Sequence, residues 1–363
     1  MIAIIRKALL FTLFLHSPMM SQNILKIDSI WVLGKDDKLS LDYIFKQPKQ
    51  LLIDSKMSFY VHDATKPEIK KYSSSCKLLK KTGRAGEGPG EYRVLYNTLI
   101  NNYDKTIIAY DIVSKKITLY DLGLNYLKTI NVNVPIEPVF ISQLTRSSII
   151  MSDYQDVKKN NVLFNIYNND LSKKIDQFGD LRELLDLNDD YQELNAPHWN
   201  ICQVDSLKII ATPTWYSNKS YVFYKNKGLW KYYTLFGTKM KQRSYEIITE
   251  KEYMSHYNKK GYVMGGRINK KVYAKINGSS VGIFQISNDY IIHLYRENNP
   301  DGTYNMYADI FNNSGKLLWN KNVKKYDQDS MPYELLNIDK NDNIYLSERM
   351  QGISVISKYK ISI

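Results

Sequence analysis

Six side chains of this sequence could bind a cation or transfer a proton, and they recur near the ends of similar apolar strands. Carboxylates and imidazoles are the groups that coordinate divalent metals and act as acids and bases in catalysis. The six residues are Asp63, Asp111, Asp153, Glu348, His62 and His293. If the strands that carry them stand in a ring, equivalent positions face one central channel. A divalent cation would then bind among them.

A structural role explains the same recurrence. A carboxylate at the end of a strand caps the following turn by accepting hydrogen bonds from its backbone N–H groups. Isolated histidines are common in strands, and no two here have the spacing of a zinc motif such as HExxH. If these carboxylates cap turns, they should recur at the ends of strands, as they do here. The sequence therefore favours a capping role over a metal centre. No cofactor is evident, and no catalytic residue is assigned.

A glycine-rich segment at residues 83–92, GRAGEGPGEY, has the composition of a phosphate-binding loop. Its spacing argues against that chemistry, because Pro89 stands where a P-loop needs lysine and the last glycine is displaced from GxGxxG. Glycine permits positive φ and proline fixes φ, so we interpret the segment as a tight structural connector. The residues of this structural motif are Gly83, Gly86, Gly88, Pro89, Gly90, Glu91 and Tyr92.

Short strands separated by turns repeat along the whole chain. The stretches around Asp63 and Asp111 share one order: an apolar strand ending in Asp, a turn, and a strand ending in Tyr. Four later stretches follow this order more loosely, which gives six units. A period of 40 to 50 residues with several strands is typical of propeller blades. The sequence predicts an all-β, six-bladed propeller of four-stranded antiparallel blades, closed by pairing of residues 24–33 with the last blade.

Two insertions have the pattern of short helices. Residues 180–186 begin with Asp180 as N-cap and Glu183 three positions later, and residues 249–257 follow the same logic. Long loops on a rigid scaffold often carry function, so the loops near 180–200 and 240–270 are expected to form the binding face.

Residues 83–92, which follow a Leu-Leu-Lys-Lys strand, resemble the inter-blade signature of exported six-bladed propellers of the TolB-like and NHL-like kind in Gram-negative bacteria. In those families a GPGEF-type pattern joins the outer strand of one blade to the inner strand of the next. Tyr92 stands here in place of the usual Phe, and the pattern is clear once only. The resemblance implies a fold for most of residues 25–363 and transfers no catalytic residue.

The first residues have the pattern of a signal peptide. Arg6 and Lys7 precede an apolar run at 8–15, which is shorter than the roughly 20 residues that span a bilayer. No cysteine follows the run, so a lipoprotein is not expected. We predict an exported protein of the periplasm or cell surface without a transmembrane segment. The predicted division of the chain is a signal peptide at 1–21 and a single propeller domain at 22–363.

Charge and aromatic content indicate which kinds of partner the protein could bind. The formal net charge is +13, but the lysines are scattered, so nucleic acid is not expected. Exposed members of the 30 tyrosines and five tryptophans, such as Trp199 or Trp230, could stack on sugars. Cys76 and Cys202 are isolated and are predicted to be free thiols.

Two functions from different classes fit these observations. The leading hypothesis is a monomeric, non-enzymatic binding or scaffold propeller that recognises a protein or a glycan. The alternative is a propeller enzyme, such as a lactonase-like hydrolase or a lyase, with a metal or carboxylate/His site at the central channel.

Overall fold

The computed structural model describes residues 26–33, 43–132, 138–184, 199–214, 219–238, 245–249, 251, 267–269, 272–276, 278–287, 289–299, 301–327, 329–351 and 353–362. The expected signal peptide lies outside these residues. So do most of the helix expected at 249–257 and most of both long loops.

Twenty-seven strands and two short helices occupy the described residues. In blades 1 and 2 the strands are β2 (Pro48–Ile53), β3 (Phe59–Asp63), β4 (Ile69–Tyr72), β5 (Leu78–Thr82), β6 (Leu95–Asn101), β7 (Thr106–Asp111), β8 (Lys116–Asp121) and β9 (Tyr126–Asn131). In blades 3 and 4 they are β10 (Pro138–Thr145), β11 (Ser148–Asp153), β12 (Val162–Asn168), β13 (Lys174–Asp180), β14 (Trp199–Gln203), β15 (Lys208–Pro213), β16 (Lys219–Asn226) and β17 (Leu229–Phe236).

A small inserted sheet separates blades 4 and 5. Its strands are β18 (Tyr245–Ile248), β19 (Arg267–Asn269) and β20 (Val272–Ile276). Blades 5 and 6 contain β21 (Gly278–Ile286), β22 (Tyr290–Asn298), β23 (Tyr304–Asn312), β24 (Leu317–Tyr326), β25 (Met331–Ile338), β26 (Asn343–Met350), β27 (Ile353–Ser362) and β1 (Lys26–Leu33). The helices are α1 (Tyr154–Asn160) and α2 (Leu181–Leu184).

Each blade is a four-stranded antiparallel sheet in simple meander order, which confirms the predicted all-β six-bladed propeller. The innermost strands, β2, β6, β10, β14, β21 and β25, each contact the innermost strands of both neighbouring blades. They therefore form a closed ring around the central axis.

The last blade contains both ends of the described chain. Strand β1 pairs antiparallel with β27, from Lys26 opposite Ser362 to Leu33 opposite Ile356. This pairing confirms the predicted closure of the ring by the N-terminal strand. Closure through hydrogen bonds between distant parts of the chain leaves only short sheet edges exposed.

Burial explains the strand pattern of the sequence. The second strand of a blade is covered on both faces by the neighbouring blades, so β3 and β11 are buried at every residue. The sequences of these strands are therefore continuous apolar runs, without the alternation of apolar and polar residues seen in half-buried strands. Outer strands such as β5 and β9 are exposed at most positions and have more polar sequences.

The helices only partly match the expectation. The predicted helix at 180–186 is the four-residue α2, which begins directly after Asp180. Helix α1 was not predicted, and it begins after Asp153, whose carboxylate accepts a hydrogen bond from the backbone of Asp156 at 3.2 Å. Asp153 thus acts as an N-cap.

Candidate functional site

The inner strands all begin at one side of the ring, which we call the entry face. The chain reaches Pro48, Leu95 and Pro332 there, and the connectors between blades, both helices and the inserted sheet leave from the same side. The opposite side, the exit face, carries tight turns such as those at 54–58 and 102–105. The irregular segments are thus concentrated at the entry face.

Asp63 caps the backbone at the entry face. Its carboxylate accepts hydrogen bonds from the backbone N–H groups of Lys46 at 2.7 Å, Gln47 at 3.2 Å and Thr65 at 3.0 Å. Burial alone would raise the pKa of Asp63, but these donors outweigh it and hold the pKa below its usual value. Asp111 repeats the arrangement with the backbone N–H groups of Arg93, Val94, Val113 and Ser114.

Glu348 is fully buried between blades 5 and 6. It accepts hydrogen bonds from the hydroxyls of Tyr326 at 2.5 Å and Tyr359 at 2.7 Å, and Lys324 lies 3.3 Å away. These contacts join the outer strand of blade 5 to blade 6. The carboxylate is therefore engaged inside the blade interface.

The two candidate histidines are also buried, and they lie in different blades. His293 lies with Nε2 3.0 Å from the hydroxyl of Ser280, whereas His62 lies close to Lys49. The pKa of each histidine is lowered to about 4, by burial at His293 and by burial together with the charge of Lys49 at His62. Both rings are therefore neutral at pH 7.

The six candidates do not assemble into one site. Within the described part of the chain, which includes all six, no three His, Cys, Asp or Glu side chains are placed to hold a metal ion. The carboxylates of Asp63, Asp111 and Glu348 are instead occupied by donors of the protein itself. A metal centre made from these residues has no geometric support.

A different set of residues meets at the entry face through a repeated β-bulge. Four inner strands shift register within their first three residues. A bulge leaves its extra residue unpaired and re-aims the side chain, and bulges are frequent beside functional sites. The extra residues are Lys49 in β2, Tyr96 in β6, Val139 in β10 and Tyr333 in β25. We call Lys49, Tyr96, Tyr333 and the adjoining Glu334 the mouth cluster.

Lys49 connects three blades within the mouth cluster. Its Nζ donates to the backbone oxygen of Tyr96 at 2.9 Å and lies 3.6 Å from the centroid of the Tyr96 ring. Glu334 attracts it from blade 6. Burial lowers the pKa of Lys49, and the carboxylate of Glu334 partly offsets this effect.

Glu334 has the most unusual electrostatics of the cluster. Its side chain reaches solvent, yet protein atoms surround it closely. The loss of hydration caused by these protein atoms raises the pKa of Glu334 to about 7, and the charge of Lys49 opposes this rise. Tyr333 beside it is exposed over 37% of its surface, which leaves ring area free for a ligand. A carboxyl group, an ammonium group and an aromatic ring thus face solvent together.

A buried guanidinium adds positive charge behind the mouth cluster. Arg296 is only 4% exposed, donates from Nη1 to the backbone oxygen of Pro332 at 2.7 Å, and interacts electrostatically with Tyr333. Burial lowers its pKa, but arginine stays charged in proteins. Arg296 therefore makes the potential at the mouth more positive.

Side-chain amides connect neighbouring inner strands below the mouth. Gln50 donates to Asn97 at 2.9 Å and accepts from the backbone of Thr98 at 2.6 Å. Similar bonds join the other blades: Asn200 to Ser280, Gln203 to Gln143 and Asn337 to Leu51. These bonds hold the mouth cluster on a rigid frame.

The glycine-rich connector, residues 83–92, lies at the same face between β5 and β6. Glu91 accepts from the backbone of Gly88 at 2.9 Å and from Arg84 at 2.6 Å, and the hydroxyls of Tyr92 and Tyr120 are 2.6 Å apart. A Cβ on Gly86 would collide with the carboxylate of Glu91. Positive φ occurs at Gly83, Gly86 and Gly90.

Sequence reasoning missed the mouth cluster because nothing in a single strand marks it. A usable signal was a proline at the first or second position of three inner strands, followed 15 or 16 residues later by an acid. The pairs are Pro48 with Asp63, Pro138 with Asp153 and Pro332 with Glu348. The aromatic residues singled out instead are covered: Trp199 is buried, and Trp230 stacks on Phe178 with 4.2 Å between centroids.

Two simpler expectations have clear outcomes. Cys76 and Cys202 are free thiols, as predicted. No helix in the described ranges is long and apolar enough to cross a membrane.

Comparisons with known proteins agree with the architecture. The family model DUF5128, described as a 6-bladed beta-propeller, matches residues 42–345. A Bacteroides fragilis structure described as a candidate exported protein superposes with TM-score 0.58 at 12% identity, over 96% of this chain and 98% of the other. A member of the DUF4221 family from Bacteroides vulgatus gives TM-score 0.57 at 9% identity, over 94% and 99%. No curated protein matches the sequence.

Proposed function

The chain belongs to the DUF5128 family of six-bladed β-propellers, and from that premise we propose that it is a non-enzymatic recognition module that binds a glycan at its entry face. The observation that carries the proposal is the mouth cluster. Repeated bulges turn Lys49, Tyr96 and Tyr333 out of the ladder, and Glu334 lies beside them with surface open to solvent. Four polar or aromatic groups from three neighbouring blades thereby lie at the entry face.

The chemistry of the cluster suits a sugar better than a protein. Small-ligand sites combine apolar surface with a few polar groups fixed in place, and an aromatic ring covers the apolar face of a ring-shaped ligand. The carboxyl of Glu334 and the ammonium of Lys49 supply an acceptor and donors for hydroxyl groups. A stable protein interface needs roughly 800 Å² per partner, more than four side chains at a ring mouth offer.

The cellular setting is part of the same proposal. The pattern at residues 1–21 supports cleavage of a signal peptide, followed by residence in the periplasm or at the cell surface. The likeness of residues 83–92 to TolB-like and NHL-like connectors of Gram-negative bacteria, and the description of the Bacteroides fragilis neighbour, agree with export. We propose one propeller domain at 22–363 that acts as a monomer.

A glycan array tests the proposal. Wild-type protein should bind a discrete set of glycans, and Tyr333→Ala should reduce binding at least tenfold because the exposed ring is lost. Tyr103→Ala is the matched control, since Tyr103 is 53% exposed in an exit-face turn. An absence of glycan binding, or equal effects of the two variants, would rule the proposal out.

Catalysis at the same point is the second candidate, in the form of a lyase or hydrolase without a metal. The raised pKa of Glu334, about 7, suits a general base at neutral pH. Mass spectrometry of bound glycans after incubation tests this candidate. Products that appear with wild type and disappear with Glu334→Gln would replace the non-enzymatic proposal.

A further inference from the structure

The charge around the mouth cluster specifies the ligand further. Two cations belong to this region, Lys49 at the surface and Arg296 behind it, against the single carboxyl group of Glu334. At pH 7 that carboxyl is only partly ionised because its pKa is about 7. The local balance is therefore positive, in the same sense as the formal charge of +13.

The donors of Lys49 are arranged for a second acceptor. One N–H of the ammonium group is used by the backbone oxygen of Tyr96, and the ring of Tyr96 covers part of the charge. An ammonium group has three donors, of which the bond to Tyr96 uses one, and Glu334 attracts Lys49 electrostatically. A ligand carboxylate would gain a charge-assisted hydrogen bond here, of about twice the strength of a neutral one.

Tyr333 fixes where the rest of the ligand lies. Its ring is exposed on the bulge of β25, and Glu334 follows it directly on the same bulge. A pyranose stacked on the ring of Tyr333 would present hydroxyl groups to Glu334 and a ring substituent toward Lys49. Strands β2 and β25 contact each other in the ring, so Lys49 and the bulge that carries Tyr333 and Glu334 lie on neighbouring strands.

We propose that the mouth cluster recognises a uronic acid unit of an acidic polysaccharide, with Lys49 on the carboxylate, Tyr333 under the sugar ring and Glu334 on the hydroxyl groups. The inference rests on the proposed glycan-binding function and specifies its ligand class. Arg296 contributes long-range attraction from behind the site and makes no direct contact with the ligand.

The test uses matched pairs of ligands that differ only in the carboxylate. Tetramers of galacturonate, glucuronate and mannuronate are titrated into the full protein by calorimetry, each beside its carboxyl-reduced counterpart. At least one acidic tetramer should bind at least tenfold more tightly than its reduced form, the size of one charge-assisted hydrogen bond. The preference should weaken as salt is raised from 50 mM to about 500 mM.

Three variants test which side chain causes the preference for the acidic tetramer over its reduced form. Lys49→Met should remove the preference for the acidic tetramer and leave the affinity for the reduced form within about twofold. Tyr333→Ala should weaken both forms equally. Lys340→Met is the matched control, because Lys340 is exposed in a turn of the exit face, and it should change neither affinity.

The possible failures are distinct. If acidic and reduced tetramers bind equally and both need Tyr333, the ligand is a neutral sugar, so the uronic acid inference is wrong while the glycan-binding function stands. If Lys49→Met keeps the preference for the acidic form, the assignment to Lys49 is wrong. If no tetramer and no glycan on the array binds, both proposals are wrong.

Discussion

The glycine-rich connector and the mouth cluster lie at the same face of the ring, and they use polar groups in opposite ways. In the connector, Glu91 is held by Gly88 and Arg84, and Tyr92 is paired with Tyr120. In the mouth cluster, Glu334 and Tyr333 keep surface open to solvent. The hydrogen bonds of the connector stabilise the fold, whereas the exposed side chains of the mouth cluster are open to a ligand.

This difference has a general lesson for propellers. A recurring backbone connection needs particular residues such as glycine and proline, so it leaves a recognisable sequence pattern. A binding site at the mouth needs only that different blades place different side chains at one equivalent position. Variation at that position is what lets a common fold recognise different ligands.

The largest predicted effect concerns the histidines that support the ring behind the mouth. His62 and His293 have pKa values of about 4 in the fold, against about 6.5 unfolded. Between these values the unfolded chain binds more protons, so stability is full above pH 6.5 and falls as pH drops toward 4. We expect about 3 kcal/mol of loss per histidine, measured by urea unfolding at several pH values.

The double variant His62→Gln/His293→Gln separates this effect from other titrations. Its stability should be lower at neutral pH but should depend much less on pH between 6.5 and 4. The pKa of the connector's Glu91 is lowered, first by the backbone of Gly88 and then by Arg84, so its carboxylate keeps its charge further toward the acid end of this window. An unchanged slope in the double variant would show that other groups cause the acid sensitivity.

Gly83→Ala should destabilise the connector by about 3 kcal/mol. Gly83 has φ of +89°, and a Cβ there would lie 2.6 Å from the backbone oxygen of Pro67. Gly228→Ala is the matched control, because Gly228 has φ of +82° with no atom within 4 Å of the added Cβ. It should cost only about 1 kcal/mol by urea unfolding. Equal losses would contradict the role assigned to close packing.

Tyr92→Phe should cost about 1 kcal/mol, since it removes the hydroxyl partner of Tyr120 in a buried position. The mouth provides the comparison: Tyr333→Phe should change the free energy of unfolding by less than about 0.5 kcal/mol, because the ring is exposed. Thermal and urea unfolding of the two variants measure the contrast. A loss at Tyr333 as large as that at Tyr92 would make both regions structural.

The smallest effect concerns Glu334→Gln, because the side chain of Glu334 is exposed and solvent screens its charge, so its raised pKa affects the free energy of unfolding less than the pKa shifts of the buried histidines do. The pKa of Glu334 is about 7 in the fold and about 4.5 unfolded, so its ionisation lowers stability progressively as pH rises between these values. The variant should therefore melt higher than wild type at pH 8 and show a smaller difference at pH 4.5. Asp289→Asn, which removes an exposed carboxylate at the exit face, is the control for the loss of one negative charge.

The fold was predictable because its causes are local. Apolar second strands, a spacing of 48 residues between Asp63 and Asp111, and the connector all follow from the geometry of a single blade. The closure of β1 on β27 followed from the need to remove a sheet edge. Helix α1 was missed because Asp153 was predicted to cap a turn after its strand, whereas it caps a helix.

The site was not predictable for a physical reason. Lys49, Tyr96 and Tyr333 are far apart in sequence, and only a register shift in each inner strand brings them to one place. The sequence does not reveal a bulge that depends on pairing with the second strand. The acids and histidines that were singled out recur because each blade needs caps and buried contacts.

Hydrogen exchange with a bound acidic tetramer is the most direct test of recognition at the mouth cluster. Binding there predicts added protection in peptides covering 48–50, 95–97 and 331–334, with no change in the connector at 83–92. Protection confined to the connector or to the exit-face turns, with the three mouth segments unchanged, would contradict recognition at the mouth.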